Sequence, residues 1–261
     1  MRVVDLDRDM RDVIPTSTSP DSDYLFEQMT RRTLDRVGAA PGRRVLDVAS
    51  GFGQDARALA AGGAIAVAAE PSARMSALAV MQDGIGPAVR HVRAWADALP
   101  FASRSFDAAY CKGALDHFDT PALAIAEMAR VTRADGRVVL AIANFDSLSC
   151  RVARSVDTVR AGGFARDLPR GRRHYDVPHD HFTRYDVGLM CEQAGVSLEL
   201  DLVEGISLGW GLPRWSRIAR RLPPDLTQRL LATFDAIARL WPAGADVVVL
   251  AGRPRVAASS A

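Results

Sequence analysis

The 261 residues are 48% hydrophobic and 25% charged, with Lys+Arg 33 against Asp+Glu 31 and a formal net charge of +2. That is enough chain for one sizeable core, or for one domain with a substantial insertion. The near balance of charge gives no global signal for nucleic acid or an anionic membrane.

Residues 1–20 are polar, with Pro15, Pro20 and a Ser/Thr cluster between them, and read as an arm able to fold over a ligand. A helix is expected over 23–37, with Tyr24 and Phe26 near its start, before Pro41-Gly42 breaks the chain. Short β-like runs then follow at 44–49, 64–69, 89–93, 106–110 and 137–142, and helices are expected over 53–61, 72–81 and 121–132. Thr120 is the expected cap of the last of these, with Pro121 in its first turn, and Asp135-Gly136 reads as a turn. Strands spaced by helices of this length predict an α/β fold with a mostly parallel sheet covered on both faces.

From Asn144 to about Pro178 the pattern changes to an arginine-rich segment with Gly162-Gly163 and Arg172-Arg173, which reads as an insertion. A helix over 184–194 is expected to end at Gly195, followed by strands over 196–203 and 246–251 with a helix over 225–240 between them. There is no internal repeat. The three cysteines, Cys111, Cys150 and Cys191, match neither a zinc spacing nor a disulfide framework, which suits a reducing compartment. Asp5, Asp7 and Asp9 stand where a signal peptide would carry basic and apolar residues, and no uncharged apolar run reaches membrane-spanning length. A cytoplasmic protein without membrane insertion is expected.

The densest signal is Val45-Leu46-Asp47-Val48-Ala49-Ser50-Gly51-Phe52-Gly53, a strand-like run ending in a small-residue turn, with Glu70 closing the next apolar run. That is the plan of a nucleoside-binding crevice. Ala96-Asp97-Ala98-Leu99-Pro100-Phe101 follows, then Phe106-Asp107-Ala108-Ala109-Tyr110, Leu115-Asp116-His117-Phe118 and Glu127-Met128-Ala129-Arg130-Val131. Together these blocks resemble the class I S-adenosylmethionine-dependent methyltransferases, particularly the small-molecule group, over about 43–143, 181–203 and 245–252. Ala49 and Ser50 depart from the usual glycine and cysteine but stay small, and Phe52 is larger than usual.

The resemblance implies a Rossmann-like seven-stranded, mostly parallel sheet with one antiparallel strand near its end, plus a helical cap. It divides a single domain into an arm or lid (1–40), a cofactor-binding core (43–143), cap insertions (144–180 and 205–240) and a last strand (245–252). It implies S-adenosyl-L-methionine as cofactor and methyl transfer to a small molecule, with a hydroxyl oxygen of a secondary metabolite or lipid as the expected acceptor. Asp47, Ala49, Gly51, Gly53 and Gln54 would meet the amino-acid end of the cofactor, since glycine lets backbone amides approach closely. Glu70 and Pro71 would meet the ribose side. Asp97 would accept from the adenine amino group, with the Ala98 amide near the ring. Cys111 (through its backbone) and Lys112 would close the site.

A hydroxyl acceptor needs a base, and histidine titrates near neutrality. His117, His179 and His181 are the candidates, each set against a purely structural role, and His91 reads as structural. Tyr24, Phe26, Tyr175, Phe182, Trp210 and Trp215 are candidates for an apolar lid, the alternative being a cap packed on the sheet. No metal and no nucleic-acid partner are expected, and a homodimer is left open. A dehydrogenase would share the first motif, and a cofactor binder without catalysis or an enzyme of non-methylating chemistry would share them all.

Overall fold

The computed structural model describes residues 19–84, 89–160, 174–177 and 180–255. In chain order the elements of the main domain begin with α1 (Pro20–Val37), β1 (Arg44–Val48), α2 (Gln54–Ala61), β2 (Ile65–Ala69), α3 (Ala73–Gln82) and β3 (Arg90–Val92). They continue with β4 (Phe106–Lys112), a 3-10 turn (Leu115–His117), α4 (Pro121–Val131), β5 (Thr132–Ala143) and α5 (Leu148–Arg160). A hairpin of β6 (His174–Val177) and β7 (Asp180–Thr183) precedes α6 (Val187–Ser197), β8 (Leu198–Ile206), α7 (Trp215–Ala219), α8 (Pro224–Leu240) and β9 (Val247–Pro254).

The main sheet has seven strands in the order β3-β2-β1-β4-β5-β9-β8. The first five are mutually parallel, and β9 runs antiparallel to both β5 and β8. This is the expected Rossmann-like arrangement. Side chains alternate across each strand, so each face has its own core. Leu46, Val48, Cys111 and Leu140 pack with Ile125 and Met128 of α4 and Met190 of α6. On the other face Val45, Tyr110, Val139 and Val249 pack with Leu25 and Met29 of α1 and Leu59 of α2. Burial on both faces explains why β1, β2 and β4 read as near-continuous apolar runs.

Several boundaries differ from the sequence reading. α1 starts at Pro20, with proline in the first turn, where a missing N–H costs nothing. α6 runs through Gly195 to Ser197, because that glycine faces open space and an isolated glycine only weakens a helix. Asp135-Gly136 lies within β5, where the pairing with β4 jumps from Phe106↔Thr132 to Ala108↔Arg137. A Cβ on Gly136 would sit 2.7 Å from the Asp107 carbonyl, so the bulge requires glycine. Part of the segment read as an insertion forms α5 and the hairpin. Residues 1–18 of the expected arm, and the Arg172-Arg173 and His179 readings, lie outside the described residues.

Candidate active site

Open α/β sheets bind ligands beyond the carboxyl ends of their parallel strands, and the motif residues gather there. β1 exits through a turn in which Ala49, Gly51 and Gly53 have φ of 57°, 55° and 74°. Left-handed backbone costs an alanine roughly 1–2 kcal/mol, so Ala49 holds a strained position that glycine fits without penalty. The turn is tied to the end of β2. The amides of Ala49 and Ser50 donate to the Ala69 carbonyl at 2.8 and 3.2 Å. The Gly51 amide donates to Glu70 Oε2 at 2.9 Å, and the Ser72 amide to Glu70 Oε1 at 2.9 Å. Glu70 is 4% exposed, so before any ligand arrives it already clamps the glycine turn to the start of α3. Gln54 opens α2 at the surface, and the Pro71 carbonyl accepts from Arg93 at 3.0 Å.

Beneath the turn lies a buried polar cluster that the sequence did not announce. Alternation places Asp47, Tyr110 and Lys112 on the face covered by α1 and α2. Lys112 Nζ pairs with Asp55 Oδ2 at 2.6 Å and donates to Thr30 Oγ1 of α1 at 2.6 Å. The lysine is therefore a tie between the helix after the turn and α1. Burial pushes the Asp47 carboxyl up to about 7, helped by the Asp55 charge and opposed by the Tyr110 hydroxyl and the Lys112 ammonium. Burial likewise pushes the Cys111 thiol up, so that side chain is an inert part of the core.

On the other side of the crevice, Asp97 is half-buried, and its Oδ2 accepts from Thr120 Oγ1 at 2.5 Å. Thr120 precedes α4 as expected, but its hydroxyl serves Asp97 and makes no cap bond. The Ala98 amide turns back to the Trp95 carbonyl at 3.1 Å. The segment beyond is gripped by α4: Glu127 Oε2 accepts from the Leu99 amide at 2.9 Å, while Arg130 donates to the Leu99 and Phe101 carbonyls at 3.0 and 2.8 Å. The bonded Arg130 holds the Glu127 carboxyl below its usual range. Asp107 stands at the opposite end of β4, where it accepts from the Arg44 amide and from Arg133. Its role is to fasten strands, and those donors lower its carboxyl.

His117 lies just past β4, in the 3-10 turn, with its side chain 54% exposed and Nε2 3.5 Å from Asp116 Oδ2. The strand carrying His181, β7, packs against this turn, so the backbone brings two of the three candidate bases to one end of the sheet. His91 Nε2 pairs with Asp83 at 2.8 Å, and its ring backs Gly53. Among the described residues no group of three or more His, Cys, Asp or Glu is arranged to hold a metal ion.

The far half of the same edge carries residues that sequence reasoning missed or left open. Asp246, before β9, is 4% exposed and accepts from the Trp210 amide at 2.9 Å. Burial raises its carboxyl to about 6, against the lowering effect of that amide and of the Ser149, Ser207 and Ser147 hydroxyls. The Trp210 indole donates to Ser22 of α1 at 3.0 Å, and its ring meets Phe26 edge-on at a centroid distance of 6.4 Å. Trp215 instead packs against Phe234 of α8, as part of the cap.

Comparison with known proteins bears on family and fold. Residues 46–140 match the family model of a methyltransferase domain. A demethylmenaquinone methyltransferase of Mycobacterium sp. (strain KMS) is 31% identical over 190 residues, which cover 72% of this chain and 76% of that one. The corresponding enzyme of Renibacterium salmoninarum is 39% identical over 124 residues, covering 46% of this chain and 51% of that one, so the match spans about half of that relative's length. A solved structure from Pyrococcus horikoshii OT3 superposes with a TM-score of 0.63 over 94% of this chain and 97% of the other, at 15% identity. The fold and these relatives converge: the chain belongs to the class I S-adenosylmethionine-dependent methyltransferases, enzymes that pass the methyl group of that cofactor to an acceptor.

Proposed function

We propose that the acceptor is a hydroxylated aromatic or lipid-like molecule, methylated at its hydroxyl oxygen. The observation that carries this reading is the half-exposed pair Phe26–Trp210 at the carboxyl edge of the sheet, on the β8–β9 side and away from the glycine turn. Two rings in edge contact, with much of their surface open, offer a planar apolar group a wall to lie against. The cofactor side fits its group by chemistry. Backbone amides at a left-handed turn suit the amino-acid end, Glu70 retains acceptor capacity for ribose hydroxyls, and Asp97 for the adenine amino group. Asp47, Gly51, Gly53 and the Lys112 tie fix the turn's shape.

When bound, S-adenosylmethionine supplies a methyl group already activated by its positive sulfur. What remains for the protein is to align the acceptor, exclude water and remove a proton. His117 beside Asp116 is the base in this reading, and His181 on the adjoining strand is its alternative. A quinol acceptor is favoured as a second reading by the two relatives, each a demethylmenaquinone methyltransferase. The test is incubation of the purified chain with methyl-deuterated cofactor and a panel of phenols, naphthols, quinols and hydroxylated lipids. Mass spectrometry reads transfer, and carbon NMR separates O-methyl from C-methyl products. His117→Asn is expected to lower turnover at least tenfold with unchanged affinity for S-adenosylhomocysteine. A panel methylated only at carbon or nitrogen centres would overturn the O-methyl reading, and transfer to a quinol ring carbon would favour the second.

A further inference from the structure

We infer that the outer side of α8 is a docking face for an anionic lipid surface. The helix has two apolar arcs. One, with Thr227, Leu231, Asp235 and Ala238 buried, faces the protein. The other runs through Leu226, Leu230, Ile237 and Leu240, at i, i+4, i+11 and i+14, which a 3.6-residue period stacks into one stripe. Leu226 and Ile237 are each 44% exposed, Leu240 is 88% exposed and Trp241 at the stripe's end is 41% exposed, while Leu230 is half-buried. A row of large aliphatic side chains held in water along a single helix face is a standing cost unless something covers it.

Charge selects the occupant. Between Gly209 and Gly244 the sequence has six arginines (214, 217, 220, 221, 229 and 239) against two acids, Asp225 and Asp235. Asp235 is spent internally, buried against Arg32 of α1 with Arg239 at 3.6 Å, and Arg239 also meets Glu204 at 3.7 Å, so the excess rests on the other five arginines. Arg229 flanks the stripe on the helix surface, Arg217 is exposed on α7, and Arg221 is exposed on the turn between α7 and α8. The Arg151 guanidinium lies over the Trp241 ring at 5.8 Å, so the far end is basic as well. The chain as a whole is nearly neutral, so this excess is local to the stretch that contains α8. A second copy docking through the same face would bring the arginines together with Asp225 as the one exposed acid of the stretch to meet them. Anionic headgroups answer the arginines, while Leu240, Ile237 and Trp241 reach the headgroup boundary, the depth at which amphipathic helices and tryptophan settle. The contact is peripheral, since no helix among the described residues is long and apolar enough to cross a membrane.

The experiment is flotation of the full chain with vesicles of phosphatidylcholine alone or with 30% phosphatidylglycerol, an amount chosen to give roughly one charge per three headgroups. Binding is expected only with the anionic lipid, and to weaken several-fold as salt rises through the range where the screening length falls below about 10 Å. Ile237→Glu with Leu240→Glu is expected to lower the bound fraction at least tenfold. Arg217→Gln, Arg221→Gln and Arg229→Gln together should lower it several-fold. Both sets should keep the melting temperature and the affinity for S-adenosylhomocysteine, which shows that the fold and the cofactor site survive. Equal binding to both vesicle types, no binding at low salt, or variants that float like the parent would each overturn the inference. So would a dimer in light scattering that the Ile237/Leu240 variant splits, because the face would then belong to a second copy. The acceptor assay above is independent of every one of these outcomes.

Discussion

Replacing Glu70 by glutamine separates two jobs that one carboxylate can do. If Glu70 only awaits a ribose, the ligand-free protein should not notice the change. The structure predicts otherwise. The two carboxylate oxygens each accept a backbone amide at 2.9 Å, from Gly51 and from Ser72, in a site 4% exposed to solvent. Glutamine keeps one acceptor and turns an NH2 group toward the other amide. One charge-assisted bond is lost, and a buried N–H is left facing a donor, which together cost about 3 kcal/mol. For a domain of this size that corresponds to a fall in melting temperature of about 6–12 °C. Differential scanning calorimetry without ligand reads this directly. Titration calorimetry with S-adenosylhomocysteine should also show at least tenfold weaker binding. A Glu70→Gln protein that melts within about 1 °C of the parent without ligand would refute the clamp, whatever happens to cofactor affinity.

The Asp47 carboxyl, raised from 3.8 to about 7 by burial, is the source of a pH dependence. A group whose pKa is raised on folding contributes stability that is fully present below its unfolded value and is lost as pH rises through the folded one. Urea unfolding of the parent should therefore weaken by a few kcal/mol between about pH 4 and pH 7, and Asp47→Asn should flatten that slope; an unchanged slope would exclude Asp47 as its origin. Lys112→Met removes the cation that pairs with Asp55 and leaves that carboxylate buried alone, so a loss of about 3–5 kcal/mol is expected in the same assay. Gly136→Ala would push a Cβ to 2.7 Å from the Asp107 carbonyl and 2.9 Å from the Arg133 carbonyl. Backbone cannot yield as a side chain does, and a loss of about 2 kcal/mol or more should appear in thermal melts.

The parts that were legible in the sequence are those fixed by short-range pattern. The β1 run, the glycine turn and the acid at Glu70 lie within thirty residues of one another in sequence, and a chemistry of close backbone approach dictates their types. The antiparallel last strand came through the resemblance and stands in the sheet as β9. What escaped depends on tertiary meeting. Thr30 and Lys112 are 82 residues apart and touch because α1 folds back across β4. The bond from Thr120 to Asp97 and the grip of Glu127 and Arg130 on the Leu99 segment use residues whose types suit a solvated helix equally well. Asp246 looked like the first residue of a strand, and only its burial beneath the Trp210 loop marks it out. Arginine and glycine bias disguised α5 and the hairpin as irregular chain, since neither residue type advertises the packing that orders it.

The position of β9 between β5 and β8 also sets a timetable. During synthesis β8 emerges before the strand it must lean on, so it has no seat in the sheet until residues 247–254 arrive. The half that receives the cofactor is complete well before then, while the half bearing Trp210 and α8 assembles in one late closure, after an interval with a bare strand edge exposed to aggregation. A chain halted just short of β9 would thus forfeit two strands rather than one, and with them the seat of the Trp210 loop.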